Sequence, residues 1–305
     1  PHIMTAVPRF YNNLFAKMQI NLKNQSQFKQ KLFNKTILLG TKKLYFQKLS
    51  IKEKVMNLIL DKLVRKKVKN NFGGRLEAFV SGGGPLDSKV GEALNALGLK
   101  TLQGYGLTET SPVVSCNPLD KIKVDTVGPI FPGVTVKLSE DGEILVKGEN
   151  LMLGYWNNLE ATEQTIKDGW LYTGDIGEFD KDSYLKITDR KKDIIVSLGG
   201  DNIAPSKLEN LLTLCPEIEQ ACVFGEQKNY IAALIILAND SKFTKEDIQN
   251  YINEVNLNLT QPEKIKKFSF IDEPFTIDNN LMTPTMKVRR HEVQKKYSEI
   301  IKQLF

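Results

Sequence analysis

Hydrophobic and polar positions change their period twice along the chain. From about Tyr11 to Asn71 apolar residues fall at helical spacing, as at Val55, Leu58, Ile59 and Leu63, among Lys, Gln and Asn, which predicts two or three surface helices. After Gly73-Gly74 the texture turns to short apolar strands and glycine-rich turns: Leu76 to Val80 reads as a strand, Ser81 to Pro85 as a turn and Ser88 to Leu97 as a helix. Val134 to Leu138 and Glu143 to Val146 flank Glu140-Asp141-Gly142, a hairpin signal, and Tyr184 to Thr188 follows as another strand. From Lys191 strands and helices alternate again: Asp193 to Val196, a helix capped at Ser206, strands near Cys222 and Leu234, and a last helix from Arg289. The expected fold class is α/β: strands and helices plus a β-rich portion, followed by a smaller α+β domain. The boundary is expected near Asp189-Arg190, giving domains 1–189 and 190–305.

Composition narrows the partners only slightly. A chain of 305 residues that is 41% hydrophobic can bury a sizeable core. Lys and Arg total 42 against 36 acidic residues, a net charge of +6 that leaves an anionic membrane face, nucleic acid and polyanionic ligands open. The basic cluster Lys62, Arg65, Lys66, Lys67 and Lys69 suits peripheral contact with acidic lipid, although charge runs on amphipathic helices are usually solvated faces. Little aromatic interleaving accompanies it, so nucleic acid is not expected as a partner. Cys116, Cys215 and Cys222 form no C-x-x-C pair, which argues against a disulfide framework or zinc site and fits a reducing, cytoplasmic setting. The longest apolar run, Ile231 to Ala238, falls far short of the roughly 20 residues of a membrane helix and reads as a buried strand. His2 and His291 are too far apart and too poorly accompanied to suggest a metal pair or triad. Because the first residue is Pro1, the chain is expected to begin inside a longer protein.

Five segments carry candidate chemistry. Ser81-Gly82-Gly83-Gly84-Pro85 after a strand leaves a backbone against which a flat ring can lie, although such turns are mostly structural. Gly104-Tyr105-Gly106-Leu107-Thr108-Glu109-Thr110 sets an aromatic ring between glycines, then a hydroxyl and a carboxylate. It offers a stacking face, a phosphate donor and a hard oxygen for Mg²⁺, or else a helix start that Thr108 merely caps. Tyr172-Thr173-Gly174-Asp175 places one carboxylate in a Gly-flanked turn, where it can accept from a ribose diol or simply shape the turn. Asp189-Arg190-Lys191-Lys192-Asp193 packs charge at the domain junction, as a nucleotide contact or a solvated linker. Met282-Thr283-Pro284-Thr285-Met286-Lys287 puts a Lys just before a helix, where the helix dipole gives it no advantage, so a ligand is the better partner.

Taken together and in this order, SGGGPL, GYGLTET, YTGD, DRKKDIIV and TPTMKVRR resemble the AMP-forming acyl-activating superfamily over the whole chain. DRKKDIIV followed by Gly199-Gly200-Asp201-Asn202-Ile203-Ala204-Pro205, together with GYGLTETSPVV, is most similar to long-chain fatty acid:CoA ligases. The resemblance implies ATP/AMP, Mg²⁺ and CoA as cofactors and a long-chain fatty acid as substrate, activated as an acyl adenylate and passed to a thiol. It implies that Gly83, Gly84, Pro85 and Tyr105 frame adenine, with Gln103, Gly104, Gly106 and Leu107 in the same nucleotide-binding segment. Thr108 then meets the α-phosphate, Glu109 holds Mg²⁺, and Asp175 and Arg190 hold the ribose with Ile187 beside it. Lys287 stabilises the reacting phosphorus, Lys192 is the hinge, and Gly199, Gly200 and Asp201 face the pantetheine arm of CoA.

Two positions depart from the family pattern: Val196 stands where several relatives carry Lys, and Ser183 replaces a frequent Gly. The family's phosphate-gripping loop is not in this sequence, so a fragment of negligible activity by itself is expected. Two alternatives accompany this expectation: transfer to acyl carrier protein instead of CoA, and a non-catalytic nucleotide-binding or membrane-attached scaffold; the expected location is the cytoplasm, with peripheral contact at the inner membrane face as the variant. The scaffold is disfavoured because Glu109, Asp175, Arg190 and Lys287 are all present.

Overall fold

The computed structural model describes residues 1–239, 241–283 and 287–305, with Asp189 described for its backbone alone. It is an α/β chain that divides into two compact units, Pro1–Thr188 and Asp189–Phe305.

The first unit opens with β1 (Ile3–Ala6), α1 (Pro8–Lys23) and α2 (Gln27–Leu44). Next comes α3 (Ile51–Leu60), which runs through a π turn (Asp61–Arg65) into α4 (Lys66–Asn70). Ser50 starts α3 with a reciprocal cap: its hydroxyl accepts from the Glu53 amide, and Glu53 accepts from the Ser50 amide. The expected helices are thus present, but the apolar spacing marks their outer side. Val55, Leu58, Ile59 and Leu63 are exposed, while Asn57 and Leu60 turn inward. Arg65 also leaves the expected basic cluster. Its guanidinium donates to the Ala96 and Thr36 carbonyls at 2.7 and 3.2 Å and to Asn57 and Asp61 at 2.9 and 2.6 Å, tying the helices together.

β2 (Ala78–Ser81), α5 (Ser88–Ala96), β3 (Thr101–Tyr105) and β4 (Ser115–Cys116) complete a sheet of order β1-β2-β3-β4. The first three strands are parallel and the fourth is antiparallel to β3. Phe79 on the central strand packs edge-on against Tyr11 and Phe72, at 5.5 and 5.2 Å between ring centroids.

A second sheet is built from β5 (Val134–Leu138), β6 (Glu143–Gly148), β7 (Ile166–Lys167), β8 (Trp170–Phe179) and β9 (Leu185–Arg190), with α6 (Leu159–Thr165) leading into β7. Its order is β5-β6-β8-β7, with β9 also on β8. β5 and β6 form the expected hairpin, and Gly142 takes the left-handed backbone its turn needs, at φ +80°. Val114, Ile144, Val146, Leu171 and Leu185 form the core of this half.

The second unit contains β10 (Ile195–Val196) and β11 (Asn202–Ile203) as an antiparallel pair, then α7 (Pro205–Thr213). Pro205 occupies the first helical turn, Ala204 is the N-cap and among the described residues no side chain caps the helix, so the expected Ser206 cap is not what starts it. β12 (Ile218–Phe224), β13 (Ile231–Leu237), α8 (Lys245–Asn256), β14 (Ile265–Phe270), α9 (Arg290–Lys296) and α10 (Ser298–Gln303) follow. The strands pair as β12-β13-β14. β13 is apolar without interruption because both its faces are covered. Ile231, Ala233 and Ile235 enter a cluster with Leu208, Leu212, Ile248 and Ile252, whereas Ala232, Leu234 and Ile236 pack with Phe275, Val293 and Ile301. Among the described residues, no helix is long and apolar enough to cross a membrane.

Candidate functional site

In the first unit the candidate residues gather at the carboxyl ends of parallel strands, where open α/β sheets form their binding crevices. β2 and β3 lie side by side with Ser81 opposite Gln103, so the Gly82–Pro85 turn and the Tyr105–Thr110 segment leave the sheet next to each other. Gln103 joins them: its side-chain oxygen accepts from the Leu86 amide at 3.1 Å and its amide donates to the Val124 carbonyl. Gly83, Gly84 and Pro85 are exposed, and Gly83 has φ +81°.

Gly106 is required by a close approach. A Cβ there would stand 1.6 Å from the Pro112 carbonyl oxygen, so no larger residue fits without moving backbone. Thr108 is exposed at the start of a one-turn 3-10 helix, Thr108–Thr110. Thr110, rather than Thr108, secures that turn, since its hydroxyl accepts from the Leu107 amide at 2.9 Å and donates to the Leu107 carbonyl.

Asp175 lies within the ten-residue strand β8 and not in a turn. The turn-like signal has another cause, because β8 bulges here against β6: Glu143 faces Ile176, but Leu145 faces Tyr172. Gly174 supplies the left-handed residue at φ +70°. Backbone groups freed from the ladder are taken up locally. Glu143 accepts from the Gly174 amide at 2.8 Å, and the Thr173 hydroxyl accepts from the Asp175 amide at 3.1 Å while donating to the Ile144 carbonyl at 2.7 Å. The bulge aims Asp175 inward, where it is 4% exposed and accepts from the Tyr105 hydroxyl at 2.7 Å. The residues expected at base and ribose therefore touch each other. Ile187, on β9, packs against the cluster that contains Tyr105.

Glu109 accepts a hydrogen bond from Tyr155 at 2.8 Å, and its carbonyl receives the Met152 amide. Burial first, and the neighbouring Glu109 carboxylate second, push the Tyr155 hydroxyl above the ordinary phenol range. Sequence reasoning missed Tyr155, because an aromatic residue 46 positions from Glu109 has no local signature. It also missed Glu143, which only the sheet brings to the Gly174 amide beside Asp175, and gave Thr173 of the same motif no role. Among the described residues no group of three or more His, Cys, Asp or Glu is placed to hold a metal. A lone carboxylate suits Mg²⁺ that keeps most of its shell from phosphates and water, so Glu109 fits a nucleotide-borne ion and not a dedicated cage.

In the second unit Arg190 and Lys192 are exposed, and Lys192 sits in a turn closed by the Asp193 and Ile194 amides on the Arg190 carbonyl. Gly199, Gly200 and Asp201 form the turn between β10 and β11, with Gly200 at φ +84°. Ser197 organises it, its hydroxyl accepting from the Gly199 and Asp201 amides and donating to the Asp201 carboxylate at 3.0 Å. Lys287 is half-buried on one arm of a hairpin. Its amide donates to the Thr283 hydroxyl at 3.1 Å, its carbonyl accepts from the Thr283 amide at 2.8 Å, and Met282 pairs with Val288. Pro284, Thr285 and Met286 of the same motif lie outside the described residues.

Comparison with known proteins gives consistent matches. A family model described as AMP-binding enzyme matches residues 1–156, and one described as AMP-binding enzyme C-terminal domain matches residues 192–305. The chain is 38% identical to long-chain-fatty-acid–CoA ligase FadD15 of Mycobacterium bovis over 270 residues, covering 81% of this chain and 45% of that protein. It is 30% identical to the peroxisomal long chain acyl-CoA synthetase 6 of Arabidopsis thaliana, covering 100% of this chain and 48% of that one. Among solved structures it resembles the O-succinylbenzoate coenzyme A synthetase of Bacillus subtilis in complex with AMP, at TM-score 0.60 and 27% identity, over 72% of this chain and 46% of that chain. The chain thus spans about half the length of the curated relatives it matches.

Proposed function

Because this chain belongs to the AMP-binding enzyme family, we propose that its protein is a long-chain fatty acid:CoA ligase. The fatty acid carboxylate attacks the α-phosphorus of ATP, the bond to pyrophosphate breaks, and an acyl adenylate forms. A pantetheine thiol then loses its proton, attacks the acyl carbonyl and releases AMP. The named relatives, a long-chain fatty acid ligase and a long chain acyl-CoA synthetase, support the substrate class and favour CoA over a carrier protein as acceptor.

One observation carries the proposal: Tyr105 and Asp175 meet at 2.7 Å beside two glycine-bearing segments at the carboxyl ends of adjacent parallel strands. In this reading the exposed backbone of Gly83, Gly84 and Pro85 lies against the adenine with Tyr105, and Gln103 holds that turn in place. Gly104, Gly106 and Leu107 shape the same segment, and Thr108 donates to the α-phosphate. Asp175 accepts from the ribose diol, assisted by Arg190 and flanked by Ile187. Glu109 would hold Mg²⁺, which when bound offsets phosphate charge. As pyrophosphate leaves, negative charge builds on the nonbridging oxygens, and the Lys287 ammonium stabilises that state more than the ground state. Gly199, Gly200 and Asp201 present an open turn to the pantetheine arm, and Lys192 is the hinge between a large domain ending at residue 189 and a small one beginning at 190.

Lys287→Ala in the full-length protein tests the proposal. ATP–pyrophosphate exchange with a long-chain fatty acid should fall about 10²–10³-fold, the usual cost of one transition-state donor. Product formation by wild-type protein, measured with CoA and with acyl carrier protein, should favour CoA. Exchange retained by Lys287→Ala overturns the role of that residue, and absence of exchange in wild type overturns the ligase reading.

A further inference from the structure

The Lys287 hairpin is fixed by a largely buried ion pair for which the reaction as described has no use. Arg290, the first residue of α9 and three positions after Lys287, grips Glu209 of α7 with both arms of its guanidinium. Nη1 lies 2.5 Å from Oε1 and Nη2 3.2 Å from Oε2. The two side chains are only 19% and 15% exposed. Glu209 Oε1 also accepts from the Val223 amide at 2.9 Å, and Arg290 Nη1 donates to the Val223 carbonyl at 3.3 Å, so both partners are anchored on β12 as well. Between this anchor and Lys287 the chain is held by the Arg289 amide on the Leu281 carbonyl at 2.8 Å.

The two sides of the pair differ in how else they are held. α7 has Leu208 and Leu212 fully buried in the core whatever Glu209 does. α9 is seven residues long and contributes Val293 alone to the other cluster. Leu281, Met282 and Val288 hold the base of the Lys287 hairpin in that same cluster, so loss of the pair loosens α9, which continues the Lys287 arm, more than it loosens α7. Nor is stability a sufficient reason for the arrangement. Well-packed apolar residues commonly match or exceed a buried ion pair in stability, whereas a bidentate fork specifies geometry. Here the fork is kept even though, among the described residues, the buried Arg290 Nε has no hydrogen-bond partner.

We propose that Glu209, acting through Arg290, is a positioning residue for Lys287 in the adenylation half-reaction. This rests on the proposed role of Lys287, and the test separates the two. In full-length protein, Glu209→Gln keeps the shape and an acceptor for the Val223 amide but loses the charge. Arg290→Lys keeps the charge but loses the fork.

Pyrophosphate exchange should fall about tenfold or more in kcat, because a reacting group displaced by an ångström costs up to about a hundredfold. KM for ATP, and the rate at which presynthesised acyl adenylate passes to CoA, should stay within about twofold, since neither reports transition-state contacts of Lys287. Equal losses in both half-reactions, scaled to the fraction folded by circular dichroism, would mean a purely structural pair and overturn the proposal. Unchanged exchange in either variant overturns it as well. If Glu209→Gln does not fold, Arg290→Lys decides by the same criteria. Lys287→Ala run in parallel locates any failure: exchange lost there but intact in Glu209→Gln refutes positioning alone, while exchange intact in both refutes the role of Lys287.

Discussion

Replacing Tyr105 with Phe isolates one bond at the centre of the candidate site. The ring is 8% exposed and packed among Val114, Ile144 and Leu171, and Phe preserves that packing. What disappears is the hydroxyl that donates to Asp175 at 2.7 Å. The acceptor is a carboxylate in a residue 4% exposed, so water cannot take the place of the lost donor without opening the sheet. Hydrogen bonds to charged groups contribute about 1.5–3 kcal/mol. Domains of about 150–250 residues lose about 2–4 °C in melting temperature per kcal/mol. The expected outcome is therefore a first-unit melting temperature lower by about 3–12 °C, with a matching drop in the urea midpoint and an unchanged m-value. Near-ultraviolet circular dichroism of the isolated chain reads the transition. A variant melting within about 1 °C of wild type would falsify the premise that the hydroxyl of Tyr105 contributes to stability through Asp175, since a hydrogen bond to a charged group is expected to contribute more than that.

Two further outcomes follow from the first unit. Gly106→Ala forces a Cβ to 1.6 Å from the Pro112 oxygen, a backbone atom that cannot rotate aside, and should destabilise by about 3 kcal/mol or more in urea denaturation; a smaller loss would mean that the 112–113 backbone yields easily. The Lys42 ammonium, with the Ser50 amide, holds the Glu53 carboxyl at about 2, below the usual 4.5. Because the folded pKa is the lower one, the Lys42–Glu53 contribution is complete above pH 4.5 and disappears as pH falls through about 2. The urea midpoints of wild type and Lys42→Met should therefore differ near pH 6 and converge at about pH 2, and a difference independent of pH excludes the ion pair as its source.

How much of this was legible in the sequence depended on how local each cause is. β13 could be read from its run of apolar residues because both of its faces are buried, and the β5–β6 hairpin from Asp141-Gly142 because the turn sets its own backbone. Helices over residues 8–70 were legible as helices, but periodicity cannot say which side faces the core. The outward stripe at Val55, Leu58 and Ile59 is more apolar than the inward one, where Asn57 accepts from Arg65 and Arg65 reaches the carbonyls of Thr36 and Ala96 on other helices. β1 was not legible: four half-exposed residues become a strand only by pairing with Ala78–Ser81, far along the chain. Asp175 was found as a candidate while its setting was misread, because a bulge and a turn both need a residue such as Gly174 with positive φ. The supports of the candidate residues, Tyr155 under Glu109 and Glu209 behind Arg290, are long-range partners and leave no spacing to detect.

The bulge in β8 has a consequence of parity. From Glu143 to Leu145 the sheet advances two residues on β6 while β8 advances four, from Ile176 back to Tyr172. An even surplus returns the strand to the same in-and-out alternation on either side, so Leu171 stays in the core and Gly177 keeps its inward place. Asp175 faces inward in step with Leu171 and Gly177, while the stretch 173–175 carries the two surplus residues. Removing both surplus residues would close the bulge without turning the rest of the strand inside out, whereas loss or gain of a single residue would invert everything beyond it.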